Sequence, residues 1–193
     1  MVWNNVNLIS WNVNGINNKV KRYKILMHLK SLDGWDRFSS HLVQGNAKGM
    51  CILIAKRISF QLNELFTDKE GRYLILSRTL QNVKCVLVNI YAPNTGQVTF
   101  LTSLCPLLSR FSDLLMVIGR DLNLVLEPEV DRSNHPLPSD RSLSSAFNEF
   151  SSTLGLVDVW RMLNTVSREY TFYSKWYSLL SLQTEKQLNV MEV

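Results

Sequence analysis

Polar side chains close several of the apolar stretches in this 193-residue chain. Asn12 follows Leu8-Ile9-Ser10-Trp11, Tyr91 and Asn94 follow Val86-Leu87-Val88-Asn89-Ile90, and Asp121 and Asn123 follow Leu115-Met116-Val117-Ile118. Thr171 lies within the aromatic stretch Tyr170-Thr171-Phe172-Tyr173. Polar groups at strand ends are held by a sheet yet open to ligand through the loops that follow. Amide and phenol donors suit the anionic oxygens of a phosphate ester, and a carboxylate can orient a water or bind a hard cation. Each residue alone also has an ordinary explanation. Asn12 and Asn94 fit side-chain-bonded turns, Tyr91 the edge of a core, and Asp121 a cap. Their succession along one chain points toward a site.

The elements that would position them can be read from periodicity. Val6 to Val13 reads as a strand closed by Asn14-Gly15, and residues 18–32 as a helix on which Tyr23, Leu26 and Met27 can share one face with Lys21, Arg22, Lys24, His28 and Lys30 as a largely polar flank. Met50 to Ala55 is an apolar run of strand length. Tyr73–Leu80 and Val83–Tyr91 flank Gln81-Asn82 as a hairpin. Gln97 to Phe111 is helical in pattern, with Pro106 required to kink or shorten it. Leu114 to Ile118 forms a further strand, Leu143 to Leu154 a helix stopped by Gly155, and Arg168 to Ser174 a last strand. Strands alternating with helices, several of them apolar on both faces, predict an α/β protein with its sheets covered by helices. Neither repeats nor an internal boundary are evident, so a single domain over 1–193 is expected.

Composition narrows the function classes. A hydrophobic share of 46% beside 19% charged residues excludes wholesale disorder. No apolar run approaches the ~18 residues of a membrane span, and Met1-Val2-Trp3-Asn4-Asn5 lacks the order of a secretory signal, so an intracellular monomer, nuclear or cytoplasmic and not secreted, is expected. Cys51, Cys85 and Cys105 are widely spaced and odd in number, which excludes a disulfide framework or zinc module and suits a reducing compartment. Residues 1–60 hold nine Lys/Arg against two acids, and the rest twelve against fourteen. That asymmetry fits a polyanion held on one side, or simply a solvated basic helix face.

Ile9-Ser10-Trp11-Asn12-Val13-Asn14-Gly15, Tyr91-Ala92-Pro93-Asn94, Gly119-Arg120-Asp121-Leu122-Asn123 with Asp131-Arg132, and Arg168 to Ser174 resemble, in order, the motifs of the endonuclease/exonuclease/phosphatase superfamily. More narrowly they look like the apurinic/apyrimidinic-endonuclease-like domain of LINE-type non-LTR retrotransposons. The resemblance runs from about residue 6 to 174. It implies a DNase I-like, two-sheet α/β sandwich with helices outside, binding Mg²⁺ and hydrolysing DNA phosphodiester bonds. It further implies that Asn12 and Asp121 serve the metal, that Tyr91 contacts the phosphate, and that Asp121 and Asn123 position the attacking water. Asn94, Arg132 and Thr171 would lie beside the DNA.

The same resemblance exposes departures. Relatives follow the first helix with a strand ending in Gln-Glu-Thr-His, whose Glu is the main metal ligand; here Lys30-Ser31-Leu32 runs straight into Asp33-Gly34. Tyr177 stands near where a His is usual, and Ser181-Leu182-Gln183-Thr184 replaces Ser-Arg-Ile-Asp. The closing Ser-Asp-His strand is not found, and Arg120 replaces the second Gly of Gly-Gly-Asp. A fold lacking one core strand and the C-terminal strand is therefore expected, with 175–193 a non-family tail. His28, His41 and His135 are expected to be structural or superficial rather than catalytic. Three functions stay open: a Mg²⁺-dependent nicking endonuclease, an impaired copy retaining at most non-specific nucleic-acid binding, and a scaffold for protein contacts.

Overall fold

The computed structural model describes residues 18–31, 38–39, 50–55, 58–80, 82–122, 138–158, 162 and 191–192. Among them the architecture is mixed α/β: helix α1 (Lys19–Ser31), strands β1 (Phe38–Ser39), β2 (Ile54–Ala55), β3 (Phe60–Thr67), β4 (Tyr73–Leu80) and β5 (Val83–Tyr91), helix α2 (Gln97–Ser109), strand β6 (Leu115–Asp121), helix α3 (Pro138–Thr153), and strands β7 (Val157–Asp158) and β8 (Met191–Glu192). The main sheet has the order β3-β4-β5-β6-β8-β7, with four long strands and two two-residue strands at one edge. Strands β3, β4 and β5 are antiparallel neighbours, and β5 and β6 run parallel. The parallel pair needs a crossover, which α2 supplies. A second sheet among the described residues is the short pair β1–β2. The expected partner strands over residues 6–13 and 168–174 lie outside the described residues. No described helix is long and apolar enough to cross a membrane.

The hairpin expected at Gln81-Asn82 forms, with Leu80 paired to Val83. Asn82 takes φ 66°, a left-handed conformation that Asn tolerates better than most residues. The β3–β4 turn is set by Asp68, whose carboxylate accepts from the Arg72 amide at 2.9 Å and from the Arg72 guanidinium. Burial pulls the Asp68 carboxyl upward, but these bonds and the Gly71 amide outweigh it and hold the group below the usual carboxylate range.

Period-two alternation gives the sheet two apolar faces. On one, Ile75, Val86, Val88, Ile90, Met116 and Ile118 pack beneath α2 and α3, which bring Phe100, Leu101, Leu104, Leu108, Phe147 and Phe150. The α2 contribution recurs at helical spacing. On the other face, Leu74, Leu76, Leu80, Cys85, Leu87 and Val117 pack with Met50, and Ile52, Ile58 and Phe60 border them. This second face also buries Arg78 completely; its guanidinium lies 4.0 Å from the Phe60 ring centroid. Among the described residues, none of the Arg78 side-chain nitrogens has a hydrogen-bond partner.

Several expectations need correction. The buried face of α1 is formed by Ile25 and Leu29, whereas Tyr23 and Met27 are 65% and 47% exposed. Both sets recur at helical spacing, so periodicity could not choose between two apolar ridges on one helix. Of the run Met50–Ala55, only Ile54–Ala55 is strand. Pro106 does not end α2 on the spot: the helix continues to Ser109, two residues short of Phe111, with Pro106 on its exposed side. Helix α3 begins at Pro138, five residues before Leu143, because Pro suits a first turn whose amides need no helical partner. Its end is a left-handed Gly155 with the Leu156 amide bonded to the Ser151 carbonyl, as a glycine stop requires. Strand β3 was not anticipated; a bulge between Leu62 and Glu64 breaks its alternation.

Candidate active site

The parallel register brings two of the sequence-selected residues side by side. Tyr91, the last residue of β5, pairs with Asp121, the last residue of β6. The Ala92 amide donates to the Asp121 carbonyl at 2.8 Å, extending the ladder past the end of both strands. Two parallel strands therefore end together, and each contributes its terminal polar side chain to the same edge. Counting back by twos places Tyr91 with Asn89, Leu87 and Cys85, and Asp121 with Gly119 and Val117, so both belong to the face turned away from α2 and α3. Both residues are half-buried, which leaves them partly open to solvent.

The chain after Tyr91 turns at once into α2. Asn94 is exposed, and its carbonyl accepts from the Gln97 side-chain amide at 3.0 Å, tying the loop to the first turn of the helix. Gly96 precedes α2 with φ 72° and provides no side-chain cap. The Tyr91 amide donates to the Arg72 carbonyl at 2.7 Å, which brings the β3–β4 turn to the same rim. Arg72 is engaged there by Asp68 and, at 3.5 Å, by Glu70, so its charge is largely balanced within its own turn.

Asn89 was not singled out from sequence. Its side-chain amide donates to the Cys51 carbonyl at 3.3 Å, anchoring the Met50–Ala55 segment on the second face. Burial pushes the Cys51 thiol up, and the Arg22 guanidinium offsets part of this. The only sequence signal for Asn89 was a polar residue interrupting an apolar strand two positions before Tyr91.

Tyr91, Asn94 and Asp121 thus gather at one end of β5 and β6. Asn12, Asn123, Arg132 and Thr171 lie outside the described residues. Chemically, the edge offers a phenol, an amide and a carboxylate, a set able to donate to an anionic oxygen and to orient a water. Magnesium prefers near-octahedral oxygen coordination and usually more than one anchor. Among the described residues no three His, Cys, Asp or Glu side chains form a group able to hold a metal. Asp121 is a single anchor, so these residues alone do not fit a Mg²⁺ site.

No protein-family profile matches the chain. Among solved structures, it is similar to an AP endonuclease from Archaeoglobus fulgidus, with 19% identity and a TM-score of 0.54, over 94% of this chain and 84% of that one. A crystal structure of the AP endonuclease LMAP from Leishmania major matches at 20% identity with a TM-score of 0.48, over 56% of this chain; the match spans 41% of that protein's length. The mixed α/β fold, a sheet of four long strands with three helices, is accordingly shared with the archaeal AP endonuclease.

Proposed function

We propose that this chain is a DNA-binding domain of the phosphodiester-nicking kind, of non-LTR retrotransposon origin, in which Mg²⁺-dependent hydrolysis is impaired. The observation that carries the reading is the pairing of Tyr91 with Asp121 at the shared end of parallel strands. The Tyr91 phenol donates to a phosphate oxygen, and the Asp121 carboxylate orients water toward phosphorus. Asn94 contacts the backbone of the nucleic acid alongside them. By the resemblance, Asn12 and Asn123 complete the polar set, and Arg132 and Thr171 border the DNA.

Impairment follows from the missing Glu between Leu32 and Asp33, which leaves Asp121 as the one carboxylate assigned to the metal. Removing a positioned acid or base lowers rates by about 10²–10⁴-fold, and a lost Lewis acid removes several kcal/mol more. The test is a supercoiled-plasmid nicking assay with Mg²⁺, with EDTA, and with Asp121→Ala. We expect no metal-dependent nicking above background. Nicking that needs Mg²⁺ and vanishes in Asp121→Ala would show a working site and overturn the impairment. DNA affinity that stays flat between low and moderate salt would instead remove the DNA reading and leave the scaffold role.

A further inference from the structure

We infer that α1 is a platform for an unpaired DNA strand, with Lys19 and Lys24 holding phosphates and the Tyr23 ring stacking on a base. The inference rests on the DNA-binding reading above and extends it to the form of nucleic acid. Helix α1 holds five Lys/Arg and no acid. Asn18 caps it, accepting from the Val20 and Lys21 amides at 3.0 Å each. With Ile25 and Leu29 facing inward, the opposite side of the helix carries Val20, Tyr23 and Met27, at 66%, 65% and 47% exposure. These lie at i, i+3 and i+7 and form one ridge. Lys19 precedes Tyr23 by one turn on one flank, Lys24 follows Val20 by one turn on the other, and both lysines are exposed.

The ridge joins an exposed aromatic and apolar strip to flanking cations, and that pairing of chemistries selects its occupant. Duplex DNA would satisfy the lysines but keep its bases stacked on one another, leaving the ring wet. An unpaired strand satisfies both features, because every base has a flat face and every nucleotide a phosphate.

The experiment is fluorescence anisotropy on the full chain with three probes of equal length: labelled oligo-dT, an abasic oligonucleotide with the same phosphates, and a blunt duplex. We expect oligo-dT to bind about tenfold or more tighter than the abasic strand, with Tyr23→Ala removing the difference and Tyr23→Phe keeping it. Lys19→Ala and Lys24→Ala should weaken both single strands alike and lower the salt slope. Because Tyr23 is exposed, circular dichroism should be unchanged by its substitution. Equal binding of oligo-dT and abasic strand, or oligo-dT binding indifferent to Tyr23→Ala, overturns the platform while leaving DNA binding intact. Failure of all three probes at low salt overturns the DNA reading itself. A polyglutamate peptide that binds more tightly than oligo-dT and depends on Tyr23 would mark the ridge as a protein-docking face and refute the inference.

Discussion

Replacing Arg78 with methionine should make this protein more stable, an unusual outcome for a fully buried position. Arg78 has no solvent exposure, and among the described residues its guanidinium nitrogens have no hydrogen-bond partner. Burial pushes its pKa well down, to about 10, against a smaller opposite effect from the neighbouring Cys85. That shift corresponds to about 3 kcal/mol of disfavour for the charged form near neutral pH. The Phe60 ring, 4.0 Å away, returns about 0.5–2 kcal/mol through its negative face. Methionine fills a similar length of space without a charge, and exchanging buried ions for apolar groups of like volume often stabilises by about 1–4 kcal/mol. The balance is a gain of about 1–3 kcal/mol, or a rise in melting temperature of roughly 2–10 °C for a domain of this size.

The pH dependence fixes the sign. Above pH 10 the folded state releases a proton from Arg78 that the unfolded state still holds, so this group's penalty is fully present below pH 10 and fades as pH rises above it. Thermal melts of the wild type, Arg78→Met and Arg78→Ala at pH 7 make the measurement. Arg78→Ala separates charge from packing, because it removes the cation but leaves a cavity whose cost grows with its volume. We expect Arg78→Met to melt highest, with Arg78→Ala below it. A melting temperature for Arg78→Met several degrees below wild type would refute the reasoning, since it would mean that the guanidinium is paired and favourable.

Two further predictions rest on neighbouring groups. Asp68→Asn should destabilise the protein by about 1–2 kcal/mol at pH 7, by weakening charge-assisted bonds in the β3–β4 turn, with a discount for the partly exposed Arg72. Because the Asp68 carboxyl is held low, its contribution is present above pH 3.8 and is lost as pH falls through the folded-state value; urea titrations across the acid range should show a shallower loss in the mutant. Burial raises the Cys85 thiol to about 11, so this group's contribution to stability falls between pH 9 and 11 as the unfolded chain ionises and the folded one does not, opposed above pH 10 by Arg78. Cys85→Ala should flatten that loss despite a lower overall melting point, and Cys85 should react with a thiol reagent only on unfolding.

The parts of the fold that could be read from sequence are those in which local and global preferences agree. Strands β4 and β5 are buried on both faces and joined by an Asn that accepts a left-handed turn, so hydrophobic run and turn chemistry give one answer. Strand β3 was not legible for the opposite reason. It is an edge strand, mostly exposed, with a bulge that shifts its side-chain alternation part-way along. Helix α1 was located correctly but turned the wrong way, because its two apolar ridges satisfy the same spacing and only tertiary packing selects Ile25 and Leu29 for the interior.

The position of Tyr91 and Asp121 at strand ends was legible for a different physical reason. Tyr91 and Asp121 each follow a run of apolar residues, and a run buried on both faces can end in a polar side chain only where the sheet reaches solvent. Sequence alone could not establish that the two ends coincide, since that depends on β5 and β6 being parallel neighbours in one register. Had the strands been antiparallel, Tyr91 would lie across from the start of β6, and the phenol and carboxylate would be separated by the seven-residue length of that strand, about 20 Å. The α2 crossover excludes that arrangement by returning the chain to the beginning of the next strand. Arg78 is the converse case. A cation within an apolar alternation reads as a break in the pattern, yet the period-two rule keeps it on the inner face between Leu76 and Leu80, where the strand cannot rotate to release it.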